Sequence, residues 1–324
     1  MRSKLCSMLN IEKPIIQGPM AWVSTASLAA AVSNAGGLGV LGVGFAPREI
    51  ADSQIMETQK LTDKPFAINT VMIPEVVENT SQILADFKLP VVYADSPGTL
   101  EVEFCSKYFK SWHEAGAKIL VKVSTVAEAK VAEAAGADAI IAKGWEGGGH
   151  TSVEATMVLV PLVADAVKIP VIAAGGIADG RGMAAAIALG AEGIEMGTAF
   201  MVATETMIAP SVKEEMLKTD DMQTVVIGHY TGQPCRQIMN PLADRLMEIE
   251  RSLTTEEATP ILKEAAASSL KLAMVDGDIE NGAVMVGQVV PTLKEIRSAQ
   301  EIMDSVLKEA KKIIANIHMF DFAG

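Results

Sequence analysis

The sequence is poor in aromatic residues, in cysteine and in positive charge. Phe, Trp and Tyr make up 4% of its 324 residues, and 27 Lys and Arg stand against 40 Asp and Glu. The three cysteines, Cys6, Cys105 and Cys235, are far apart and fit neither a disulfide framework nor the ligand spacing of a zinc site. The net charge of −13 opposes a broad surface for nucleic acid, because phosphates would be repelled. We therefore expect no metal site and no nucleic-acid partner.

The sequence also lacks the signals of export and of membrane insertion. No basic segment leads into an apolar run and a small-residue cleavage site, so we expect a cytoplasmic protein. No charged residue occurs in residues 14–47, which a hydropathy window could score as a membrane span. However, Pro19, Asn34 and the Gly36-Gly37 pair divide this stretch into a strand, a helix and a second strand, each too short to cross a bilayer. We expect no membrane partner.

Short apolar runs rich in β-branched residues recur along the first two thirds of the chain, separated by stretches rich in alanine and leucine that are typical of helices. Eight runs are present, at residues 14–17, 38–42, 66–69, 91–93, 118–123, 139–142, 171–174 and 193–196. Eight regular strand–helix units predict an α/β fold, a TIM (β/α)8 barrel, with a doubly wound open sheet as the alternative.

The strand rhythm ends near Ala203, which predicts three parts of the chain. Residues 1–203 are expected to form the barrel and to bind the cofactor. Residues 204–281 carry charged helical stretches and predict an additional helical subdomain on the substrate side. Residues 282–324 are expected to return to the barrel and to cover part of its open end.

Two glycine turns follow the last two predicted strands. They are Ala174-Gly175-Gly176 and Gly197-Thr198. Exposed backbone N–H groups at such turns converge on a single dianion, and the loops after strands seven and eight of a TIM barrel frequently hold a phosphate. The pair predicts a phosphorylated cofactor at the carboxyl end of the barrel.

The loop after the sixth predicted strand contains the best candidate for a reactive residue, His150. The glycines at 147–149 let the backbone pass close to a flat ligand, and a histidine exchanges a proton near neutral pH. The alternative is a glycine-rich surface loop with an incidental histidine. Of the other histidines, we expect His113 to be structural, His229 to be a loop residue and His318 to face solvent.

Other predicted strands also end in polar groups. Backbone groups of Met20 and Ala21 and the amide of Asn69 are suited to hydrogen bonds with the edge of a flavin ring. Asp95 follows the fourth predicted strand, and Lys122 lies near the end of the fifth. Because all these groups share one face of the predicted barrel, we expect them to form one site.

Five segments resemble those of the flavin-dependent enoyl-acyl-carrier-protein reductases of the second type, a sister family of the nitronate monooxygenases. The segments are 14–22, 34–39, 63–69, 147–150 and 172–180. The Met20-Ala21-Trp22 turn, Arg236, Asn240 and the segment 277–288 favour the reductase branch. The resemblance covers nearly the whole chain.

The resemblance implies an FMN cofactor and a reaction in two halves. NADH or NADPH would reduce FMN, and the flavin would deliver hydride to the β-carbon of an enoyl thioester, either a small molecule or one linked to an acyl carrier. His150 would orient the thioester or assist protonation. The residues implied to bind FMN are Gly18, Met20, Ala21, Asn69, Lys122, Glu146, Gly148, Gly149, Ala174, Gly175, Gly176, Gly197, Thr198, Met285, Gly287 and Gln288.

The sequence departs from the reductase pattern at several positions. Lys143 stands where the reductases usually have glutamate and Ala199 where they usually have arginine, while Pro19 and Ala209 replace a usual glycine and a frequent histidine. Lys143 reverses a charge beside the His150 loop. A nitronate monooxygenase, with oxygen as oxidant and His150 as base, is therefore the alternative, and a non-catalytic flavin-binding barrel is the second alternative. A homodimer is a further expectation, since barrels with apolar exteriors often pair.

Overall fold

The structure, a computed structural model, describes residues 3–317. Its strands are β1 (Ile15–Gln17), β2 (Gly39–Leu41), β3 (Phe66–Val71), β4 (Val91–Asp95), β5 (Lys118–Val123), β6 (Ala139–Lys143), β7 (Gly149–His150), β8 (Val171–Ala174), β9 (Gly193–Met196), β10 (Thr224–Ile227) and β11 (Cys235–Ile238). Its helices are α1 (Lys4–Leu9), α2 (Ala26–Asn34), α3 (Arg48–Leu61), α4 (Pro74–Phe87), α5 (Val102–Glu114), α6 (Val126–Ala135), α7 (Thr156–Ala166), α8 (Gly180–Ala188), α9 (Thr198–Met201), α10 (Pro210–Lys218), α11 (Pro241–Ser252), α12 (Thr255–Met274) and α13 (Ala299–Asn316).

Eight parallel strands form the central sheet, and the sheet closes. Its strand order is β1-β9-β8-β6-β5-β4-β3-β2. The two ends of this order meet at Ile16 and Leu38, which form a parallel bridge, and Gln17 N donates to Leu38 O at 3.0 Å. The TIM barrel predicted from the sequence is confirmed, and each of the eight apolar runs supplies one barrel strand.

The barrel has an inner and an outer apolar core. Inside it, alternate strand residues such as Val40, Tyr93 and Leu120 pack together, and Leu5 and Leu9 of α1 close the amino-terminal end. The opposite faces of the strands pack against the surrounding helices. Because side chains alternate along a strand, the next inward positions toward the carboxyl ends lie in one layer above this core. They are Asn69, Asp95, Lys122, Lys143 and Glu195.

A second, small sheet stands above the barrel mouth. It has the order β10-β11-β7, with all pairs antiparallel, and its register places Cys235 opposite His150 and Arg236 opposite Gly149. The region expected to be helical does contain α10, α11 and α12, but it also contains the β10–β11 hairpin. These strands have four residues each, so their pattern is short, and pairing with β7 supplies support that no local pattern shows.

The last described helix, α13, packs against α8 and α2 on the outside of the barrel. Gly180 permits this approach, since a Cβ atom there would lie 2.4 Å from Ala310 N. Among residues 3–317, no helix is long and apolar enough to cross a membrane.

Candidate active site

A layer of charged side chains covers the inner core at the carboxyl ends of the barrel strands. Asp95 and Lys122 form an ion pair there. Asn69 links this pair to the loop after β2, because its Nδ2 donates to Asp95 Oδ2 at 3.1 Å and its Oδ1 accepts from Gly44 N at 2.7 Å. Burial acts to lower the pKa of Lys122, but the adjacent Asp95 carboxylate outweighs it and raises that pKa. Lys122 is therefore a fixed positive charge.

Glu195 is the second carboxylate of this layer, and sequence reasoning missed it. It is buried, and burial raises its pKa, while the neighbouring Tyr93 hydroxyl and Lys122 act in the opposite direction. Within residues 3–317, its Oε2 has no hydrogen-bond partner. Gly18 makes room for it, since a Cβ atom at residue 18 would lie 3.0 Å from Glu195 Oε1. The alternation of β9, which turns Gly193 and Glu195 to the same side, is the signal that could have found it.

Lys143 completes the layer at the end of β6. Its Nζ donates to Gly148 O at 2.8 Å and to His150 O at 2.9 Å, so it lies beneath the glycine-rich loop. Burial lowers the pKa of Lys143 to about 8, helped by the charge of Lys122 and opposed by that of Glu195. At neutral pH, most of the Lys143 population carries a positive charge.

His150 lies at the rim of the barrel mouth on β7. The strand is held to the hairpin by its pairing with β11 and by Thr151 N, which donates to Pro234 O at 2.9 Å. Partial desolvation of the imidazole lowers the pKa of His150, and the charges of Lys122 and Lys143 lower it further, while Gln233 opposes the shift. This shift favours the neutral form of the ring, although the residue keeps contact with solvent.

The first glycine turn has the backbone form of an anion cradle. Gly175 and Gly176 have φ angles of 94° and 72°, and within the described residues neither amide donates a hydrogen bond. Thr156 fixes the turn from one side, since its Oγ1 donates to Gly175 O at 2.9 Å. Successive amides in this form are suited to a phosphate.

Glu146 braces that turn. Its carboxylate accepts from Thr156 N at 2.9 Å, and it shares the single hydroxyl hydrogen of Thr156 with Gly175 O, at 2.8 Å from Thr156 Oγ1. A Cβ atom at Gly176 would lie 3.1 Å from Glu146 Cβ. The carboxylate is thus engaged by the protein itself, and a role of Glu146 in cofactor binding stays a prediction.

The second glycine turn meets the late segment 285–288. Thr198 Oγ1 accepts from Gly287 N at 2.9 Å, and Gln288 N donates to Glu146 O at 2.9 Å. Gly148 lies against the same segment, since a Cβ atom there would be 2.5 Å from the carbonyl carbon of Val286. Three segments that are remote in sequence are therefore in direct contact.

Two methionines border these turns. A Cβ atom at Gly197 would lie 3.5 Å from Met20 Sδ, and one at Gly149 would lie 3.9 Å from Met285 Sδ. Ala21 lies beside Met20 and is exposed at the barrel mouth. The structure thus brings the predicted cofactor residues to one end of the barrel, where soft side chains and free amides suit a flat, phosphorylated ligand.

Other residues that the sequence singled out have structural roles. The Arg236 guanidinium packs over the Trp145 ring at 4.8 Å and donates to Trp145 O at 3.3 Å. Asn240 caps α11 and donates to Ile279 O at 2.7 Å. His113 contacts Asp138 at 2.7 Å, as its structural assignment predicted.

The remaining two histidines are His229 and His318. His229 is exposed in the short 3-10 segment His229–Thr231 between β10 and β11. His318 lies outside the described residues. Of the histidines that the structure describes, His150 alone stands over the charged layer.

Comparisons with known proteins agree with this architecture. The nitronate monooxygenase family model matches residues 2–94 and 100–309. The chain is similar to FabK from Thermotoga maritima, with 39% identity, a TM-score of 0.91 and 99% of each chain covered. It is 34% identical to a nitronate monooxygenase of Paraburkholderia phytofirmans, over 98% of this chain and 97% of that protein.

A further relative shows the breadth of the group. The chain is 31% identical, over 97% of both proteins, to a (3aS,4S,5R,7aS)-5-hydroxy-7a-methyl-1-oxo-octahydro-1H-indene-4-carboxyl-CoA dehydrogenase of Rhodococcus jostii. The match to the family model covers far more than half of the chain. The chain therefore belongs to the nitronate monooxygenase family and is a flavin-dependent oxidoreductase built on a TIM barrel.

Proposed function

We propose that the chain is an FMN-dependent enoyl-thioester reductase that uses NADH or NADPH as electron donor. The observation that carries the proposal is the likeness to FabK, at 39% identity over 99% of both chains. The curated relatives reported above reach 34% and 31%. The motifs that resemble the reductase branch, such as the Met20-Ala21-Trp22 turn, support the same choice.

The residues at the barrel mouth fit FMN. The free amides of Gly175 and Gly176, together with the Gly197-Thr198 turn, would hold the phosphate. Met20, Asn69 and the segment 285–288 would border the ring. When bound, FMN would accept hydride from the nicotinamide and pass it to the β-carbon of the enoyl thioester.

His150 would orient the thioester. Its lowered pKa favours a neutral imidazole, which has one N–H to donate to a carbonyl oxygen. The position of β7 beside the hairpin, in the same sheet, would place this donor at the substrate side of the mouth. The hairpin and α10 to α12 would shield the acyl chain from water.

A nitronate monooxygenase is the second candidate, and the match to the nitronate monooxygenase family model favours it. A neutral imidazole is also a proton acceptor, as the oxidation of a neutral nitroalkane requires. The relative from Paraburkholderia phytofirmans bears that name. The two candidates differ in whether a reduced nicotinamide is needed.

Anaerobic mixing separates the two reactions. We expect NADH or NADPH to bleach the flavin absorbance of the purified protein, and crotonyl thioester to restore it. No bleaching, together with turnover of propionate 3-nitronate in air, would establish the monooxygenase instead. A protein that binds FMN and does neither would be a non-catalytic barrel.

A His150→Ala variant tests the assigned role. It is expected to keep the yellow FMN complex and to lose turnover, because the residue faces substrate and not the phosphate cradle. Loss of FMN in this variant would show that His150 belongs to the cofactor site.

A further inference from the structure

Lys143 occupies an unusual place for a lysine, under a loop and not at the surface. Its Nζ reaches two carbonyl oxygens of that loop, those of Gly148 and His150, at 2.8 and 2.9 Å. The two oxygens belong to residues on either side of Gly149, so one ammonium group spans the whole of β7. Hydrogen bonds from one ammonium group fix the distance between the two carbonyl oxygens and the direction in which both C=O bonds point.

The neighbouring sequence is adapted to this path of the side chain. A Cβ atom at Gly147 would lie 2.4 Å from Lys143 Cε. A side chain at position 147 would therefore require the end of the Lys143 side chain to leave this path. The first glycine of the Gly-Gly-Gly run thus serves the lysine, while Gly148 serves the contact with Val286.

The charge of Lys143 is not consumed by an ion pair. Among the described residues, no carboxylate lies within salt-bridge distance of its Nζ, whereas Lys122 is paired with Asp95. The charged and titratable groups that face it are Lys122, Glu195, Asp95 and Cys235. Its donors are therefore committed to the backbone of β7 and not to another side chain.

We propose that Lys143 is the positioning residue for His150, holding the imidazole over the barrel mouth through the carbonyl oxygens of Gly148 and His150. The proposal rests on the proposed function only in assigning His150 to the substrate. Lys143 itself touches the loop and not the substrate. In this proposal its effect on the reaction passes through His150.

Amide hydrogen exchange of the FMN-loaded protein tests the structural half without any assay of activity. Lys143→Met is expected to raise exchange in a peptide covering residues 147–151 about tenfold or more, because two charge-assisted hydrogen bonds are lost. Lys143→Arg, which retains a permanent charge and several donors, is expected to restore part of the protection. Lys130→Met, an exposed lysine on α6, is the matched control and is expected to leave exchange unchanged.

A double-mutant cycle tests the functional half. Lys143→Met is expected to lower kcat about tenfold or more with a smaller change in KM, and the Lys143→Met, His150→Ala double variant to be no slower than His150→Ala alone. If the two single variants lower kcat by factors that multiply in the double variant, the proposal is overturned. Unchanged amide exchange at residues 147–151 in Lys143→Met would also overturn it. If Lys143→Met does not fold, Lys143→Gln carries the same comparisons.

The exchange measurement and the double-mutant cycle together distinguish a failure of this proposal from a failure of the proposed function. If the enzyme turns out to oxidise nitronates, the same cycle is run with propionate 3-nitronate. If it has no turnover, the exchange result still decides whether Lys143 holds β7. Faster exchange with a non-additive cycle supports the proposal, and either failure rejects it.

Discussion

Replacing Gly148 with alanine attacks the contact between the His150 loop and the segment 285–288. The new Cβ atom would lie 2.5 Å from the carbonyl carbon of Val286 and 2.7 Å from Gly287 N. Both obstacles are backbone atoms, so no side-chain rotation relieves the clash. The φ angle of Gly148 is not in the left-handed region, and the cost is therefore steric and not conformational.

The structure sets the size of the effect. Inserting a methyl group into a packed contact costs about 1–3 kcal/mol. If the segment moves away, two hydrogen bonds open, from Gly287 N to Thr198 Oγ1 and from Gln288 N to Glu146 O, at about 1 kcal/mol each. The clash and the opening are alternatives, and either costs about 2 kcal/mol, which corresponds to roughly a thirtyfold weaker cofactor binding if the segment must close on the flavin.

FMN titration followed by flavin fluorescence, together with thermal melting, measures both consequences. Gly148→Ala is expected to bind FMN between about tenfold and a hundredfold more weakly and to melt several degrees lower. Gly232→Ala is the control, since a Cβ there meets no atom within 4 Å and only its φ of 73° causes strain. Unchanged FMN affinity and melting temperature in Gly148→Ala would refute the close packing of the two segments.

Two further predictions concern the frame of the barrel. Gly180→Ala is expected to loosen α13, because its Cβ would lie 2.4 Å from Ala310 N, and limited proteolysis should release the C-terminal helix earlier than in the wild type. Burial acts to raise the pKa of Asp138, but hydrogen bonds from Lys118 and His113 outweigh it and lower that pKa below 3.8. Asp138 thus contributes stability that is present above pH 3.8 and lost as the pH falls through its folded pKa. Asp138→Asn should lower the melting temperature at pH 7, and its difference from the wild type should shrink as the pH is lowered below 3.8; a loss of the same size at every pH would contradict this.

The barrel was predictable because its signals are local. Each buried strand is a short β-branched run, and each of the eight runs found in the sequence is a strand in the structure. The strand ends were also predictable, since parallel strands bring their carboxyl ends to one side. Asn69, Asp95 and Lys122 were thus assigned to one site before any contact was known, and they form one hydrogen-bonded chain.

The hairpin above the mouth was not predictable in the same way. β10 and β11 have four residues each, which is too short to establish a period, and β11 places the polar Arg236 and Gln237 among its buried residues. β11 pairs with β7, and the paired residues Cys235 and His150 lie 85 residues apart in sequence. Such a long-range partner leaves no trace in local composition.

The charge at Lys143 shows why single departures from a family pattern mislead. Taken alone, a lysine in place of glutamate reverses the charge beside the reactive loop. In the structure the same layer contains Glu195, which is buried and has no lysine in direct contact within the described residues. The layer therefore holds two ammonium groups, of Lys122 and Lys143, and two carboxylates, of Asp95 and Glu195.

Lys143 and Glu195 each lower the cost of burying the other as a charged group. Lys143 acts to lower the pKa of Glu195, and Glu195 acts to raise that of Lys143. A glutamate at position 143 would bring a third carboxylate to a buried layer with one ammonium group, and a proton would have to neutralise one of them. Lys143 is therefore one half of a balanced arrangement, whose other half the sequence places 52 residues later at Glu195.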